Sequence, residues 1–543
     1  MRRHSPSALS SPSSLIPRRS GLLSSALSLP SSLRSLSPAQ LPPPPGALLC
    51  PRLLPPALCS GLALTAAGTT RRDVASFIAS LDDAALGLDS ADPVVYVGRS
   101  PGRLDVMGGI ADYSGALVLQ MPIAEACFVA LQKNTAGEYR VESDNADGSF
   151  VLPVAELSAL GGYEDARALF QAKPGGDWAA YVLGCFVVLA QECGASFSEG
   201  CNIKVHSDVP ISMGVSSSAS VEVSSMQAIA AAFGVDIESF ATEREYNRGT
   251  KLAMLCQKVE NLVVGAPCGI MDQMASNLGE QNKLLALLCR PAEVQGLVEI
   301  PEGVEFWGLD SGHKHAVGGH ADEGADYGSV RVGAFMGKKI WNATKGAERQ
   351  VEYTTDLTPS TYEWVESTDP LVTPIVDSLT GQAFVDAYGS HDDPVTTIEP
   401  AREYAIRIPT QHPIYEHQRV QQFGELLGRP VTETTLGLLG ELMRGSHISY
   451  TRCGLGSTST DLLVQLVLEA GPAAGLYGAK ITGGGSGGTV CVLSSAGGEA
   501  SIRAVAAAYA EKTGHTPHIF RSSSVGGEAF GKRQSAAPCW IWR

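Results

Sequence analysis

The chain has 543 residues, with 40 Lys and Arg against 56 Asp and Glu, a formal charge of −16 and a pI near 5.2. So acidic a balance excludes a nucleic-acid backbone as main partner, because phosphate binding needs a basic face. No run of eighteen or more apolar residues is present to span a bilayer.

With 44% hydrophobic and 18% charged residues, the composition is that of a packed soluble protein, about three domains or two with appended segments. The 12 cysteines are scattered, without a CxxC pair or zinc-ligand spacing. They predict buried thiols in a reducing, intracellular setting.

Residues 1–72 contain eight arginines and no acidic residue, and include the run Pro42–Pro45. A Ser/Pro/Leu/Arg segment of this kind cannot pack a core, and its lack of acids resembles an organellar transit peptide. A plain disordered extension, or a misassigned start of the coding sequence, has the same composition. The expected location is the cytoplasm, with plastid or mitochondrial import if the leader is a transit peptide.

The spacing predicts a helix over 73–86. Residues 94–103, VVYVGRSPGR, predict a β-branched strand ended sharply by Pro101-Gly102. Strands follow at 116–123 and 126–132, a helix at 179–194, a short strand ending in a turn over 201–210, and a loop entering an Ala-rich helix over 215–234. Near the C-terminus, strands at 478–482 and 488–495 flank a glycine cluster, and a helix covers 500–514. Strands and helices mix without strict βαβ alternation, so the expected class is α+β. Residues 344–400, rich in Thr, Asp, Glu and Pro, predict a long surface insertion, and residues 531–543 a tail.

Four stretches carry chemistry. In SPGRLDVMGGIADYSG, Arg103 stands nine residues before Asp112. A guanidinium and a carboxylate around one loop could hold a polyhydroxy ligand, although a structural ion pair gives the same pattern. In DVPISMGVSSSASVEV, the run Gly214, Val215, Ser216, Ser217, Ser218, Ala219 opens a helix, whose amides and dipole suit phosphate. Ser218 could add a hydroxyl to Mg2+; a single serine would be enough for ordinary capping.

In KITGGGSGGTVCVL, Gly483, Gly485 and Gly488 match G-x-G-x-x-G, but a strand follows instead of a helix, and no acid stands about twenty residues on. A dinucleotide site is therefore rejected, and no Walker loop exists elsewhere. Finally, CQKVENLVVGAPCGIMDQ supplies Glu260 and Asp272 across a Gly/Pro turn. One carboxylate could hold a metal while the other sits by a substrate hydroxyl, provided the fold unites them.

Together the order GRLDVMGGIADY, VPISMGVSSSAS, GAPCGIMDQ, KITGGGSGG resembles the GHMP kinase superfamily over about residues 92–530. Within it the chain is similar to galactokinases and, more closely, to the kinase part of plant L-arabinokinases, which HDDPVTTIEP and HPIYEHQRVQ also resemble. Those proteins usually carry a glycosyltransferase-like domain before the kinase; here the acid-free leader stands in that place.

The resemblance implies two lobes: a ribosomal-protein-S5-like one over 92–305 and a ferredoxin-like one over 306–530. It implies ATP and Mg2+ as cofactors and a small sugar as substrate, with no nucleic acid, membrane or obligate protein partner. It implies Asp272 as the catalytic acid residue near the anomeric hydroxyl with Arg103 beside it, Gly214 to Ala219 around the ATP phosphates, and Ser218 and Glu260 on the metal. Asp112, Gly109, Ile110, Gly269 and Tyr327 would face the sugar, and Gly483, Gly484, Gly485, Ser486 and Gly487 would form the loop that closes on it.

One departure bears on the substrate. Galactokinases have Glu-His facing the 6-hydroxyl, where this chain has Gly109 and Ile110. L-arabinopyranose lacks the hydroxymethyl group, and unpaired buried polar groups would each cost about 1–3 kcal/mol. The expectation is therefore an L-arabinose 1-kinase. The alternatives are a galactokinase and a non-catalytic sugar sensor, the latter disfavoured by the intact serine loop.

Overall fold

The computed structural model describes residues 76–77, 81, 94–146, 148–314, 326–344, 350–361, 375–532 and 540–542. The leader, the 73–86 helix apart from three residues, and much of the tail lie outside them.

The first sheet is built from β1 (Val95–Met107), β2 (Leu117–Asn134), β3 (Glu138–Ser143), β4 (Ser149–Pro153), β5 (Gly200–Ser207), β6 (Lys283–Leu288) and β7 (Glu293–Glu299). β1, β2, β5, β3 and β4 are neighbours in that order, β6 and β7 branch from β2, and Trp540–Trp542 pairs with β1. Only β3 and β5 run parallel.

Pro101-Gly102 does not end the first strand as expected. β1 continues to Met107, and its register against β2 slips between Pro101 and Arg103. A bulge of this kind re-aims a side chain. Gly102 allows it because a Cβ there would lie 2.4 Å from the Val215 carbonyl oxygen. That carbonyl instead accepts the Arg103 amide at 3.0 Å. The two strands expected on either side of residue 124 are likewise one strand, β2.

Helices α1 (Tyr163–Ala172), α2 (Gly176–Cys193), α3 (Ser217–Phe233), α4 (Arg248–Lys258) and α5 (Met271–Leu278) accompany this sheet. Val182, Phe186, Val223, Ile229, Leu252 and Cys256 pack with Val129, Leu131, Val141 and Ile203 in its main core. A turn of π-helix, Val259–Val264, prolongs α4 and carries Glu260. Such turns recur at functional sites.

The second sheet begins with β8 (Val304–Asp310). After α6 (Tyr327–Thr344), the short pair β9 (Ser378–Thr380) and β10 (Glu403–Ala405) brackets α7 (Gly381–Tyr388). Then come α8 (Arg407–Leu427), α9 (Glu433–Arg452), α10 (Thr458–Ala470), β11 (Leu476–Ile481), β12 (Thr489–Ser495), α11 (Glu499–Thr513) and β13 (Ile519–Phe520). The sheet order is β11-β12-β8-β13, antiparallel throughout.

A core shared by both sheets joins Leu104, Val106 and Leu119 to Phe306, Val420, Phe423, Met443 and Leu493. The stretch expected as a surface insertion is partly internal: Ile375 and Phe384 pack on Val332, Met336 and Ile340 of α6. Its elements are too short for a period to emerge from the sequence. Among the described residues no helix is long and apolar enough to cross a membrane.

Candidate active site

A cavity of about 530 Å3 opens where the bulge of β1, the start of α3, the start of α5 and the β11–β12 turn converge. Arg103, Asp112, Glu260, Gly269, Asp272 and Tyr327 line it, with Gly214, Ser216, Ser217, Ser218, Gly483 and Gly484. Ile110 also contributes a surface. The remaining predicted residues do not line it. Val215 and Ala219 are buried, Gly109 packs against Tyr450 and Asp105, and Gly485, Ser486 and Gly487 lie against Leu455 and His313.

Arg103, only 2% exposed, directs Nε and Nη2 to Asp272 Oδ1 at 3.0 and 2.7 Å. Its Nη1 donates to the Gly214 carbonyl at 2.7 Å. Spacing alone set Arg103 beside Asp112, whereas the resemblance set it beside Asp272; the fold makes the second pairing, since the bulge turns it toward α5. Asp272 keeps 23% of its side chain exposed, so its second oxygen faces the cavity from a fixed carboxylate.

Asp112 is fully enclosed. Burial, then the charge of Asp272, pushes its carboxyl up to about 6, against the Arg331 cation and the amides of Tyr113 and Met271. Gly269 must be glycine here, because a Cβ would lie 1.7 Å from Asp112 Oδ2.

The start of α3 is open. Ser216 caps the helix in a left-handed conformation (φ 61°), makes no side-chain capping bond, and has a buried Oγ without a partner among the described residues. Ile110, Ser212 and Ser486 are also non-glycine residues at positive φ, so strain of about 1–3 kcal/mol apiece gathers in the loops around one cavity. The glycine turn backs the serine loop closely: a Cβ at Gly483 would meet the Gly214 carbonyl oxygen at 2.6 Å.

Burial and then the charge of Asp272 raise Glu260 to about 7, against the lowering influence of the Ser218 hydroxyl. Gln273 Nε2 bridges Glu260 and the buried Glu222 at 2.7 and 3.1 Å. One hydroxyl and one carboxylate are hard oxygen donors. They fit Mg2+, which takes one or two protein ligands and completes its shell with phosphate oxygens and water. Among the described residues no group of three or more His, Cys, Asp or Glu could hold a metal unaided.

Trp178, Tyr181, Val205 and Ile211 line a further, apolar part of the cavity together with Asn145. Sequence reasoning missed these. Trp178 and Tyr181 stand three apart on a helix whose periodicity says only that it is buried.

A carboxylate held by arginine, beside a helix N-terminus ready for anions and an oxygen pair suited to Mg2+, is an arrangement suited to phosphoryl transfer. Residues 180–280 match the GHMP kinases N terminal domain, and residues 89–133 match the galactokinase galactose-binding signature. The L-arabinokinase of Arabidopsis thaliana is 44% identical over 82% of this chain, which spans 47% of that protein's length. The galactokinase of Streptomyces coelicolor is 28% identical over 78% of this chain and 92% of its own. Lactococcus lactis galactokinase, solved with galactose, superposes with a TM-score of 0.62 at 20% identity, over 83% of this chain and 99% of that one. Over these residues the chain is similar to the GHMP kinases, and within them to galactokinases and L-arabinokinase.

Proposed function

We propose that this chain transfers the γ-phosphoryl group of ATP to the anomeric hydroxyl of L-arabinose, giving L-arabinose 1-phosphate and ADP. The observation that carries the reading is the Arg103–Asp272 pair opening onto the same cavity as the start of α3. On this reading the lobes are residues 92–305 and 306–530.

The α3 amides and the Ser216 and Ser217 hydroxyls receive the phosphates. The apolar surface of Trp178, Tyr181 and Ile211 receives the base. Ser218 and Glu260 would hold Mg2+, which would neutralise phosphate charge. Asp272, locked by two bonds from Arg103, accepts the anomeric proton as the sugar oxygen bonds to phosphorus and the bond to the ADP oxygen breaks. Arg103 balances the charge that builds up.

Asp112 and Tyr327 hold the ring hydroxyls. Ile110 faces the pentose methylene with hydrocarbon, and Tyr450 fills the space that a side chain at Gly109 would need. The Arabidopsis relative, named an L-arabinokinase, supports that substrate.

The test is ADP release by purified protein with L-arabinose, D-galactose, D-glucuronate and L-fucose. The highest kcat/KM is expected for L-arabinose. Preference for D-galactose would make the chain a galactokinase, and no sugar-dependent release at all would make it a sensor.

A further inference from the structure

The HDDPVTTIEP stretch has no part in the chemistry above, yet it sends a carboxylate deep into the protein. Asp393 meets Arg331 of α6 in a two-pronged ion pair, Nε to Oδ2 and Nη2 to Oδ1, both at 2.8 Å, with both residues buried. Thr396 Oγ1 donates to Asp393 Oδ2 at 2.6 Å and the Val395 amide to Oδ1 at 3.3 Å. Burial alone would raise the Asp393 carboxyl, but the Arg331 bond keeps it below its ordinary value.

The third guanidinium nitrogen, Nη1, donates to the Cys268 carbonyl at 2.9 Å. Cys268 immediately precedes Gly269, the residue pressed against Asp112. The flat cation also lies over the Tyr113 ring, 5.3 Å from its centroid, and Tyr113 meets Tyr327 edge-on at 5.8 Å. One guanidinium therefore touches the backbone beside Asp112 and the ring that supports Tyr327.

We propose that Arg331, clamped by Asp393, is a positioning residue for the sugar end of the cavity, fixing the Cys268–Gly269 backbone and the Tyr113–Tyr327 pair around Asp112. This rests on the sugar reading of that end. A buried pair of this geometry is weak evidence for stability as such, whereas planar bidentate recognition fixes orientation, a job Lys cannot do.

The groups facing Asp112 are Asp272, Arg331 and the amides of Tyr113 and Met271, with the half-buried Tyr113 and Tyr327 and the buried Cys289 and Tyr450 further off. Arg331 is the cation that holds Asp112 down. Removing its charge should therefore move the acid limb of kcat/KM to higher pH, and keeping the charge as lysine should not.

The test compares wild type with Arg331→Met, Arg331→Lys and Asp393→Asn by steady-state kinetics across pH 5–8, with melting temperature followed in parallel. Expected is a rise of about tenfold in sugar KM for all three, with ATP KM changed less than about twofold. The acid limb should rise in Arg331→Met only. Should Arg331→Met fail to fold, the KM split of the other two variants decides.

Sugar and ATP KM rising together, or sugar KM unchanged in folded variants, would overturn the proposal, as would an unmoved limb in folded Arg331→Met. A wild type without sugar kinase activity would instead sink the reading of the site, which separates the two failures.

Discussion

A Cβ added at Gly109 would lie 1.8 Å from the Tyr450 hydroxyl oxygen and 2.3 Å from Asp105 Oδ2. Tyr450 is held there by a 2.9 Å bond to the Gly483 carbonyl, so it cannot simply yield. Gly109→Ala should destabilise the protein by about 1–3 kcal/mol, as overpacking does. Tyr450→Phe should recover part of the loss in the double variant, because it removes the clashing atom. Urea unfolding of the four proteins in the cycle gives the coupling; strict additivity would show that the two residues do not compete for that space.

Asp272→Asn keeps the shape of the residue and one oxygen for Arg103 but removes the proton acceptor. A loss of about 10²–10⁴ in kcat is expected, with ATP KM nearly unchanged. Arg103→Lys loses the fork that serves Asp272 and Gly214 together and should also lower kcat. Single-turnover ADP release measures both. A near-normal rate in Asp272→Asn would transfer its assigned role to another group.

The Asp112 carboxyl, raised to about 6, is ionised above that pH and protonated below it. If the ionised form accepts sugar hydroxyl bonds, kcat/KM for sugar should fall as pH drops through about 6, and Asp112→Asn should flatten that limb at a lower plateau. Stability runs the other way. A folded pKa above the unfolded 3.8 gives a contribution fully present below about 4 and lost as pH rises through about 6. Asp112→Asn should therefore be more stable than wild type at pH 7, by up to about 3 kcal/mol. Melting curves at pH 4.5 and 7 test this, and an asparagine variant no more stable at pH 7 refutes it.

Ser218→Ala and Glu260→Gln each remove one oxygen of the pair suited to Mg2+. The Mg2+ concentration for half-maximal rate should rise about tenfold or more in either variant. Sugar KM at saturating Mg2+ should change far less. Unaltered Mg2+ dependence in Glu260→Gln would place the metal elsewhere.

The parts legible in sequence were local ones. A glycine turn between two strands, a serine run at a helix start and an aspartate opening α5 announce themselves within a dozen residues. Arg103 was legible too, and its partner Asp272 was legible only through the family resemblance, not from spacing. Asp272 is 169 positions away, and nothing at Pro101-Gly102 distinguishes a bulge from a strand end until the Val215 carbonyl occupies the space beside Gly102. Asp393 was hidden for a similar reason. In sequence it belongs to an acidic, weakly periodic stretch, and only the guanidinium of α6 explains a buried carboxylate there. Tyr450 and Trp178 carry ordinary helical spacing, which predicts burial and says nothing of what they face.

The hydrophobic cluster that includes Leu104 and Leu119 from one sheet and Phe306 and Leu493 from the other has an implication for dissection of the chain. Below it, Lys480 and Asp105 form an ion pair with both side chains wholly enclosed, one contributed by each half. Split expression of the two halves would leave each with a greasy scar and an unneutralised charge. Neither would be an autonomous folding module. Co-expressed fragments should regain activity only by annealing into one body, and binding of either substrate would then report on the whole rather than on a half.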